Sequence, residues 1–297
     1  MRIAFFGLGH MGAPLARNLH DDGHDLVAWN RDPARAQPLR QAGAHVAATV
    51  GEAAHGAAIA ITMLADDAAE RAISLGGDGL VAHLPSGAIR VCMSTIGVGA
   101  SRELARAHAE AGQHYVAAPV FGRPPAVVAR TLWIAAAGPA AAMDVVKPLL
   151  AALARGITFA GDDAPRAHAL KLGANALGAV MLEGLAESLA LGEKAGMPST
   201  DYLALLDAAM FQTNFVGNYG RMVVSGADDR DGGFPLRLGL KDISLAMAAA
   251  LELAAPLPLA SQVRERMLRA CATGSAEADL PRLADLAFVD AGLTPPA

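Results

Sequence analysis

A glycine-rich turn near the amino terminus is the feature that most constrains the fold. Arg2–Phe6 is an apolar run long enough for a buried strand, and residues 7–12, with the sequence GLGHMG, follow at once. Leu15 and Leu19 then lie on one face of a predicted helix. Strand, glycine turn and helix in this order are the context of the GxGxxG motif, which binds a dinucleotide diphosphate at the helix N-terminus. A glycine turn in another kind of α/β protein is the alternative. The residues predicted to bind the diphosphate are Gly7, Leu8, Gly9, His10, Met11 and Gly12.

The turn after the second predicted strand, 25–30, indicates which dinucleotide is bound. An NAD-specific fold usually carries an Asp or Glu near the end of this strand for the ribose hydroxyls. Here Asn30 occupies that place, Arg31 follows, and Arg35 adds a second positive charge. Because an acid repels a 2′-phosphate and an arginine can pair with one, we predict that NADP is preferred over NAD. The alternative is a solvated arginine beside Asp32.

The composition is that of a globular protein without a nucleic-acid or membrane partner. Of 297 residues, 53% are hydrophobic and 18% charged, and the formal net charge is −5. This modest negative charge gives no general attraction to nucleic acid or to an anionic membrane surface, and we expect no membrane span. With no signal-peptide pattern, and with Cys92 and Cys271 expected to be reduced and buried, we predict a cytoplasmic protein. The histidines and cysteines lack metal-ligand spacing, so no metal is expected.

The first half of the chain alternates strands and helices, which predicts an α/β fold with a doubly wound, Rossmann-type sheet. Further strands are predicted at 45–47, 57–64, 90–94, 115–119, 131–136 and 157–160, with crossover helices at 66–72 and 100–111. Residues 64–66 and 94–95 lie at the carboxyl ends of two of these strands, where ligands bind in open α/β sheets. The segment 120–125 is too rich in proline to be regular.

The second half of the chain is predicted to be entirely helical. Pro165 suits the first turn of a long helix of roughly thirty residues that ends near Gly196. This helix is apolar on more than one face, so we expect it to be buried between layers. Glu183 and Glu187 on it are expected to be solvated or to lie at an interface. Shorter helices are predicted at 200–210, 217–224, 240–254, 259–273 and 281–290.

Domain organisation follows from this change of character. We place the boundary at Gly161, which gives an NADP-binding Rossmann domain at 1–161 and an all-helical substrate and dimerisation domain at 162–297. The long helix joins them. The substrate cleft is predicted to be lined by Gln212, Asn214, Asn218 and Tyr219. These residues would come from the same chain or from a neighbouring chain of the oligomer.

Motifs spread over nearly the whole chain resemble one family. They are residues 7–12 with Asn18 and Leu19, Asn30 with Arg31, Met63 with Leu64, residues 93–96, residues 118–120, Lys171 to Asn175, Phe234, and residues 240–242. In this order they resemble the β-hydroxyacid dehydrogenases, the group of 3-hydroxyisobutyrate dehydrogenase, tartronate semialdehyde reductase and 6-phosphogluconate dehydrogenase. The resemblance implies hydride transfer between NAD(P) and a small hydroxyacid or its aldehyde, and a homodimer or homotetramer.

Lys171 and Asn175 are the predicted catalytic pair. They lie four residues apart on one helical face, and Lys171 stands in an apolar run where an ammonium is unexpected without a partner or a task. Hydride transfer to a carbonyl leaves an alkoxide that needs a proton, and burial moves a lysine pKa toward the range useful for that transfer. The resemblance implies that Lys171 supplies this proton over the nicotinamide, with Asn175 holding the substrate or orienting the lysine. From the residues alone, a lysine that snorkels to solvent is the alternative.

The resemblance also implies which residues surround the nicotinamide and the substrate. On the cofactor side they are Met63, Leu64, Ala65, Thr95 and Lys241. On the substrate side they are Ser94, Val120, Phe121, Gly122, Arg123, Asn175 and Phe234. For Lys241, an ion pair with Asp242 or a surface charge is the alternative.

The predicted substrate loop departs from the family pattern. The family has Asp-Ala-Pro-Val-Ser-Gly-Gly where residues 117–123 read AAPVFGR, so Phe121 stands in place of a serine that helps hold the substrate carboxylate. A phenyl ring donates no hydrogen bond to an anion, whereas Arg123 can supply a forked contact. The alternative is that Phe121 packs under the loop and Arg123 points to water. We therefore predict a carbonyl compound that is bulkier or less polar than the usual short hydroxyacids.

Two other functions stay open at this point. Imine reductases resemble this family but commonly carry an aspartate or a tyrosine in place of Lys171, so the lysine favours carbonyl chemistry while Phe121 leaves imines open. The third hypothesis is a non-catalytic module that binds NADPH, and the presence of Lys171, Asn175 and Thr95 counts against it.

Overall fold

The computed structural model describes residues 1–229 and 233–296, and it confirms the predicted succession of an α/β part and a helical part. The strands are β1 (Arg2–Phe6), β2 (Asp25–Trp29), β3 (His45–Val46), β4 (Ile59–Thr62), β5 (Ile89–Cys92), β6 (His114–Ala117), β7 (Val120–Phe121), β8 (Leu132–Ala136) and β9 (Ala154–Phe159). The helices of the first half are α1 (Gly12–Asp21), α2 (Gln37–Gln41), α3 (Val50–Ala54), α4 (Asp67–Leu75), α5 (Leu80–His83), α6 (Val98–Glu110), α7 (Pro124–Val128) and α8 (Ala140–Leu153). Those of the second half are α9 (Pro165–Lys194), α10 (Ser199–Ala209), α11 (Asn214–Val224), α12 (Leu236–Glu252), α13 (Pro258–Ala270) and α14 (Asp285–Asp290).

β1 lies inside a parallel sheet with the strand order β3-β2-β1-β4-β5-β6. It pairs with β2 on one side and β4 on the other, so that Phe6 stands opposite both Trp29 and Thr62. Gly7 N–H donates to the Trp29 carbonyl (3.1 Å), and Met63 N–H donates to the Phe6 carbonyl (2.9 Å). The turns after β1, β2 and β4 therefore begin side by side, at the point where the strand order reverses and ligands bind in such sheets.

Both faces of this sheet are covered, which is why its central strands are apolar at every position. Phe5 and Ile61 pack into one cluster with Leu15 of α1 and Leu150 of α8. The alternate residues Ala4, Phe6 and Ala60 belong to a second cluster on the other face, together with Leu80 of α5. The regular alternation along β1 and β4 thus fixes which helices cover which face.

In the region after β6, one prediction was wrong and one helix was missed. The segment 120–125, predicted to be irregular, forms β7, which pairs antiparallel with β8, and the beginning of α7. Pro124 and Pro125 occupy the first turn of α7, where a missing N–H costs no helical hydrogen bond. Helix α8 was not predicted, although it covers fourteen residues, and it contains Pro148.

The long helix α9 is confirmed, but its apolar surface is only partly covered within the chain. Leu177 and Leu191 are 60% and 69% exposed, which contradicts the expectation of a helix buried between layers. By length and hydropathy α9 could also cross a membrane, although we expected from the sequence that the chain has no such segment. One such helix is weak support for a span, because the core helix of a globular protein passes the same test, and Lys171 and Glu183 lie within it.

By compactness the chain divides into two units, Met1–Leu172 and Gly173–Ala297. The division falls inside α9, so the first turns of this helix belong to the first unit and the remaining turns to the second. The domain boundary at Gly161 stays a prediction. Within the described part of the second unit we find helices and one isolated bridge between Pro235 and Asp279, in agreement with the helical prediction.

Glu187 on α9 is exposed, in agreement with the prediction of a solvated or interface residue, but Glu183 is not solvated. It is 5% exposed and forms an ion pair with Arg266 of α13, which also contacts Asp290 of α14 at 2.9 Å. Burial raises the pKa of the Glu183 carboxyl, and the nearby guanidinium opposes that effect. This charge therefore joins helices of the second unit, a role that the helical periodicity could not indicate. The expectation of two buried thiols holds for Cys92 alone, since Cys271 is only partly buried.

A fully buried ion pair lies beneath the carboxyl end of β5. Glu70 on α4 accepts hydrogen bonds from Arg90 of β5 and from the hydroxyl of Ser94, and all three side chains are 0% exposed. The Ser94 Oγ in turn accepts a hydrogen bond from Leu64 N–H at 2.7 Å. Breaking a buried pair by removing one charge is strongly destabilising, because the remaining charge has neither water nor a partner.

We expect Glu70→Gln to lower the free energy of unfolding by about 3–5 kcal/mol, because the buried Arg90 guanidinium loses its counter-charge. Equilibrium unfolding in urea, followed by circular dichroism, measures the change. The matched control is Glu110→Gln, which removes the same charge from an exposed pair with Arg106 (3.7 Å) and should cost less than about 0.5 kcal/mol. Equal losses in the two variants would contradict the importance of the buried pair.

Candidate cofactor and catalytic site

Two of the three motif glycines are required by close backbone contacts. Gly7 has a φ of +96°, and a Cβ there would lie 2.4 Å from the Met63 carbonyl oxygen. A Cβ on Gly12 would lie 1.9 Å from the Gly7 carbonyl oxygen, so α1 can start only where a glycine stands. Gly9 is different, because the nearest heavy atom to a Cβ there would be the Arg35 Nη1 at 3.8 Å. Backbone atoms therefore fill the space next to Gly7 and Gly12, whereas the space next to Gly9 is open.

The open side of this turn fits a dinucleotide diphosphate. Helix α1 begins at Gly12, and its cap residue Met11 contributes no side-chain hydrogen bond to the helix N-terminus. Leu8 is buried, and its N–H donates to the Asn30 Oδ1 at 2.8 Å, which ties the turn to the end of β2. His10 is exposed. A helix N-terminus without a side-chain cap and the open space next to Gly9 are the features that bind an anionic diphosphate in this motif.

Two arginines border the same opening. Arg31 is exposed at the end of β2, and Arg35 is exposed on the short turn that follows, with its Nε 3.9 Å from Asp32. Since the Arg35 guanidinium also lies near Gly9, positive charge stands on the side of the turn where the adenosine ribose is bound in this motif. The Asn30 side chain donates to the Asp32 carbonyl at 2.9 Å, so a neutral amide rather than an acid occupies the usual ribose position.

Ser94, which was predicted to lie on the substrate side, has its side chain in the interior of the first unit. Its side chain is fully buried and engaged with Glu70 and the Leu64 N–H, so it joins the turn after β4 to the turn after β5. Met63, Leu64 and Thr95, by contrast, are partly exposed at this edge. The hydroxyl of Ser94 therefore holds the two turns in register rather than facing the opening.

His168, to which the sequence analysis gave no role, also binds this turn. It is 0% exposed, its Nε2 lies 3.2 Å from the Ser94 carbonyl oxygen, and its Nδ1 lies 3.0 Å from the Ser101 Oγ on α6. His168 is in the first turn of α9, one turn before Lys171. The signal that could have found it is a histidine between two alanines on a predicted helix, because a histidine needs polar partners when it is buried.

The Lys171 ammonium is held inside the first unit. The residue is 9% exposed, and its Nζ lies 4.5 Å from the centroid of the Phe121 ring, within the range of a cation–π interaction. Phe121 itself packs against the cluster that contains Ile96 and Ala167. The geometry does not support the alternative of a lysine that snorkels to solvent, and it brings together two residues that the sequence predicted to be catalytic and substrate-binding.

The loop that carries Phe121 is fixed by its backbone. Val120 is buried, and Gly122 has a φ of +141°, with a Cβ there reaching to 2.6 Å from the Leu132 Cδ2. Arg123 is partly exposed and precedes the first turn of α7. The glycine thus allows the chain to reverse between the aromatic ring and the arginine, so that neither position can be moved without strain.

In the second unit, Asp242 joins two of the predicted residues. The Asn175 Nδ2 donates to the Asp242 Oδ2 at 2.6 Å, and the Lys241 Nζ lies 3.0 Å from the Asp242 Oδ1. The structure therefore contains the ion pair between Lys241 and Asp242 that was the alternative to a cofactor contact by Lys241. Asp242 itself is buried, with 3% of its surface exposed. The predicted substrate residue Phe234 lies just before α12, where its N–H donates to the Asp279 carboxylate at 2.8 Å.

A small polar pocket of about 200 Å³ lies elsewhere in the second unit, between the end of α10 and the start of α11. Its lining includes Gln212, Asn214 and Asn218, which were predicted to face a cleft. Tyr219, predicted with them, stacks on Phe215 with ring centroids 4.5 Å apart. Three of the four predicted residues thus share one pocket.

Comparison with known proteins covers both units. The family model described as NAD binding domain of 6-phosphogluconate dehydrogenase matches residues 2–161, and the one described as NAD-binding of NADP-dependent 3-hydroxyisobutyrate dehydrogenase matches residues 166–287. The chain is 43% identical over 260 residues to the uncharacterized oxidoreductase YfjR of Bacillus subtilis, covering 88% of this chain and 90% of that protein.

A second relative and a solved structure agree with these matches. The chain is 33% identical over 270 residues to the NAD-dependent L-serine dehydrogenase of Pseudomonas aeruginosa, covering 88% of this chain and 89% of that protein. The crystal structure of 3-hydroxyisobutyrate dehydrogenase from Salmonella typhimurium superimposes with a TM-score of 0.84 at 25% identity, covering 96% of this chain and 99% of that one.

Gly9→Ala and Gly12→Ala should separate nucleotide binding from folding. Gly12→Ala forces a methyl group against the Gly7 carbonyl, so we expect its melting temperature to fall by about 4 °C or more. Gly9→Ala adds a methyl group to open space and should melt like the wild type, while its Kd for NADPH rises at least about tenfold. Differential scanning calorimetry and a fluorescence titration measure the two effects. Undiminished NADPH affinity in Gly9→Ala would contradict the assignment of the diphosphate site.

Proposed function

Because the chain belongs to the β-hydroxyacid dehydrogenase family, we propose that it transfers a hydride between NADP and a small carbonyl compound or hydroxyacid, with Lys171 as the general acid and base. Family membership makes it an NAD(P)-dependent oxidoreductase that acts on CH–OH groups. The observation that carries the finer proposal is the buried Lys171 ammonium, held against Phe121 in the unit that contains the dinucleotide turn.

The reaction needs one proton at the substrate oxygen, and Lys171 is the group proposed to move it. Bound NADPH supplies a hydride to the carbonyl carbon. As the C=O bond becomes C–O, the Lys171 Nζ donates a proton to the oxygen and is left as a neutral amine, which water reprotonates. In the oxidative direction the neutral amine accepts the hydroxyl proton. Phe121 supports the ammonium form, because the face of an aromatic ring attracts a cation.

The other predicted residues are proposed to position the reactants. Asn175 is oriented by Asp242 and is proposed to hold the substrate, and Thr95 is proposed to lie beside the nicotinamide. Lys241, fixed by the same Asp242, is proposed to lie on the cofactor side, as are Met63, Leu64 and Ala65. Ser94 acts through its buried hydrogen bonds, by holding these turns, and makes no substrate contact in this proposal.

The loop at 120–123 is proposed to select the substrate. Phe121 offers an apolar, aromatic surface beside the lysine, and such a ring donates no hydrogen bond to a carboxylate. Arg123, partly exposed beyond Gly122, is proposed to bind an acidic group farther from the reacting carbon. A carbonyl compound with an apolar group next to the carbonyl fits this arrangement better than a short hydroxyacid. Phe234 is proposed as a further substrate contact.

NADP as the preferred cofactor, a homodimer or homotetramer, and a cytoplasmic location complete the proposal. The two arginines at the end of β2 and the neutral Asn30 support NADP. Imine reduction is the second candidate, and the apolar Phe121 beside Lys171 is what keeps it open. A third candidate, a protein that binds NADPH without turnover, offers no reason for a buried ammonium at position 171.

A screen of NADPH oxidation over aldehydes, ketoacids and cyclic imines tests the proposal, with Lys171→Ala beside the wild type. We expect turnover of a carbonyl compound, and a loss of about 10²–10⁴-fold in kcat for Lys171→Ala, the usual contribution of a general acid. The Kd for NADPH should stay close to that of the wild type. Lys147→Ala, on an exposed helix surface, is the control and should keep full activity. Full turnover by Lys171→Ala, or imines reduced faster than every carbonyl compound, would overturn the assignment.

Arg31→Ala should weaken NADPH and leave NADH unchanged. Losing one charge-assisted contact to the 2′-phosphate costs about 1.5–3 kcal/mol, so we expect the KM for NADPH to rise by at least about tenfold. Steady-state assays with both cofactors measure this. The control is Arg40→Ala, which removes an exposed arginine of α2 and should change neither KM value. Equal losses for NADPH and NADH in Arg31→Ala would show that the arginine does not read the 2′-phosphate.

A further inference from the structure

His168 occupies a position where one side chain holds three elements of the first unit together. It belongs to α9, its Nε2 faces the carbonyl oxygen of Ser94 just beyond β5, and its Nδ1 faces the Ser101 hydroxyl on α6. The ring is fully buried. A buried histidine that meets partners on two other elements constrains its own helix more than an apolar side chain of the same size could.

The hydrogen-bond chemistry sets the tautomer of this ring. A carbonyl oxygen only accepts, so the Nε2 must carry the hydrogen that is donated to Ser94. In the neutral ring the Nδ1 is then an acceptor for the Ser101 hydroxyl. Both contacts are directional, and together they fix the rotation of the first turns of α9 as well as their distance from the sheet.

Lys171 follows His168 on the same helix, three residues later, and therefore lies close to the same face. Ala164 and Ala167 pack on the cluster that also supports Phe121, so the backbone of α9 lies close to the sheet at this point. A rotation or shift of these turns would carry the Lys171 Nζ away from the Phe121 ring, which it now contacts at 4.5 Å. Displacements of about 1 Å can cost on the order of 100-fold in rate when a group must meet a reacting atom.

We propose that His168 is a positioning residue: by binding Ser94 and Ser101 it holds the first turns of α9. This keeps the Lys171 ammonium against Phe121 at the ligand edge of the sheet, which is the edge where the turns after β1, β4 and β5 lie. The catalytic consequence rests on the proposed function, whereas the structural consequence does not. The competing explanation is a histidine that only fills the core. If His168 only fills the core, its mutation changes the stability of the protein. If His168 positions Lys171, its mutation changes the local order of α9 and kcat.

Three variants separate these explanations. His168→Leu removes both hydrogen bonds and keeps an apolar side chain, while His168→Gln can still donate to Ser94 and accept from Ser101. His108→Leu is the matched control, because His108 is equally buried in the same unit, at the opposite end of α6 from Ser101, and bonds Gln113 at 2.7 Å. Burial, reinforced by Arg90, lowers the pKa of His108 to about 4.

The first measurement is backbone hydrogen exchange of residues 166–172 without any ligand, read by mass spectrometry at a temperature where every variant is folded. We expect exchange in His168→Leu to accelerate by at least about tenfold, equivalent to about 1.4 kcal/mol of local opening. His168→Gln should stay within about threefold of the wild type, and so should His108→Leu in this segment. Acceleration by His108→Leu equal to that of His168→Leu, or none in His168→Leu, would overturn the proposal.

The second measurement is steady-state kinetics with NADPH and a carbonyl substrate found by screening. We expect kcat of His168→Leu to fall by about 10–100-fold with little change in the KM for NADPH, and His168→Gln to recover most of the loss. Unchanged kcat in a variant with accelerated exchange would refute the catalytic half of the proposal. If the wild type turns over no compound at all, the proposed function fails, and the exchange data still decide whether His168 holds the helix.

Discussion

The buried hydrogen bond between the Ser94 hydroxyl and Glu70 is the interaction on which the ligand edge of the first unit depends. Through it, the turn after β5 is tied to α4, and through the Leu64 N–H the same oxygen is tied to the turn after β4. His168 adds the first turns of α9 by way of the Ser94 carbonyl. The buried Ser94 side chain therefore ties together the turns after β4 and β5, and the backbone carbonyl of the same residue ties them to α9. Arg90 balances the charge of Glu70.

The fold could be predicted where the local sequence pattern favours the same structure that the packing of the whole unit requires. The glycine turn is an example, since the contacts at Gly7 and Gly12 depend on residues that are close in sequence or on the adjacent strand. The prediction failed at 120–125, where prolines that forbid a strand interior are well suited to the first turn of a helix. It failed also for the exposed apolar surface of α9, because periodicity reports which residues are apolar but not what covers them.

The site shows the same division. Lys171 and Asn175 were predicted to be catalytic because an ammonium in an apolar helical run is unexpected and because the family resemblance implies a lysine at this place. The burial of Lys171 and the hydrogen bond of Asn175 are compatible with the roles proposed for them. The structural role of the Ser94 hydroxyl was not predicted, since its partner Glu70 lies twenty-four residues earlier in the chain. His168 was given no role for the same reason, because its partners Ser101 and Ser94 lie 67 and 74 residues away in the chain. The pairing of Asp242 with the adjacent Lys241 was considered, but its hydrogen bond from Asn175, 67 residues away, was not.

Proton transfer by Lys171 is the claim on which the proposed chemistry rests, and a crystal structure of the chain with NADP and a slow substrate or product analogue would test it most directly. The measured quantity is the distance from the Lys171 Nζ to the substrate oxygen. Proton donation predicts a separation of about 2.6–3.2 Å, with the ammonium still beside the Phe121 ring. A nitrogen that points away from that oxygen, with another acid or base in its place, would contradict it.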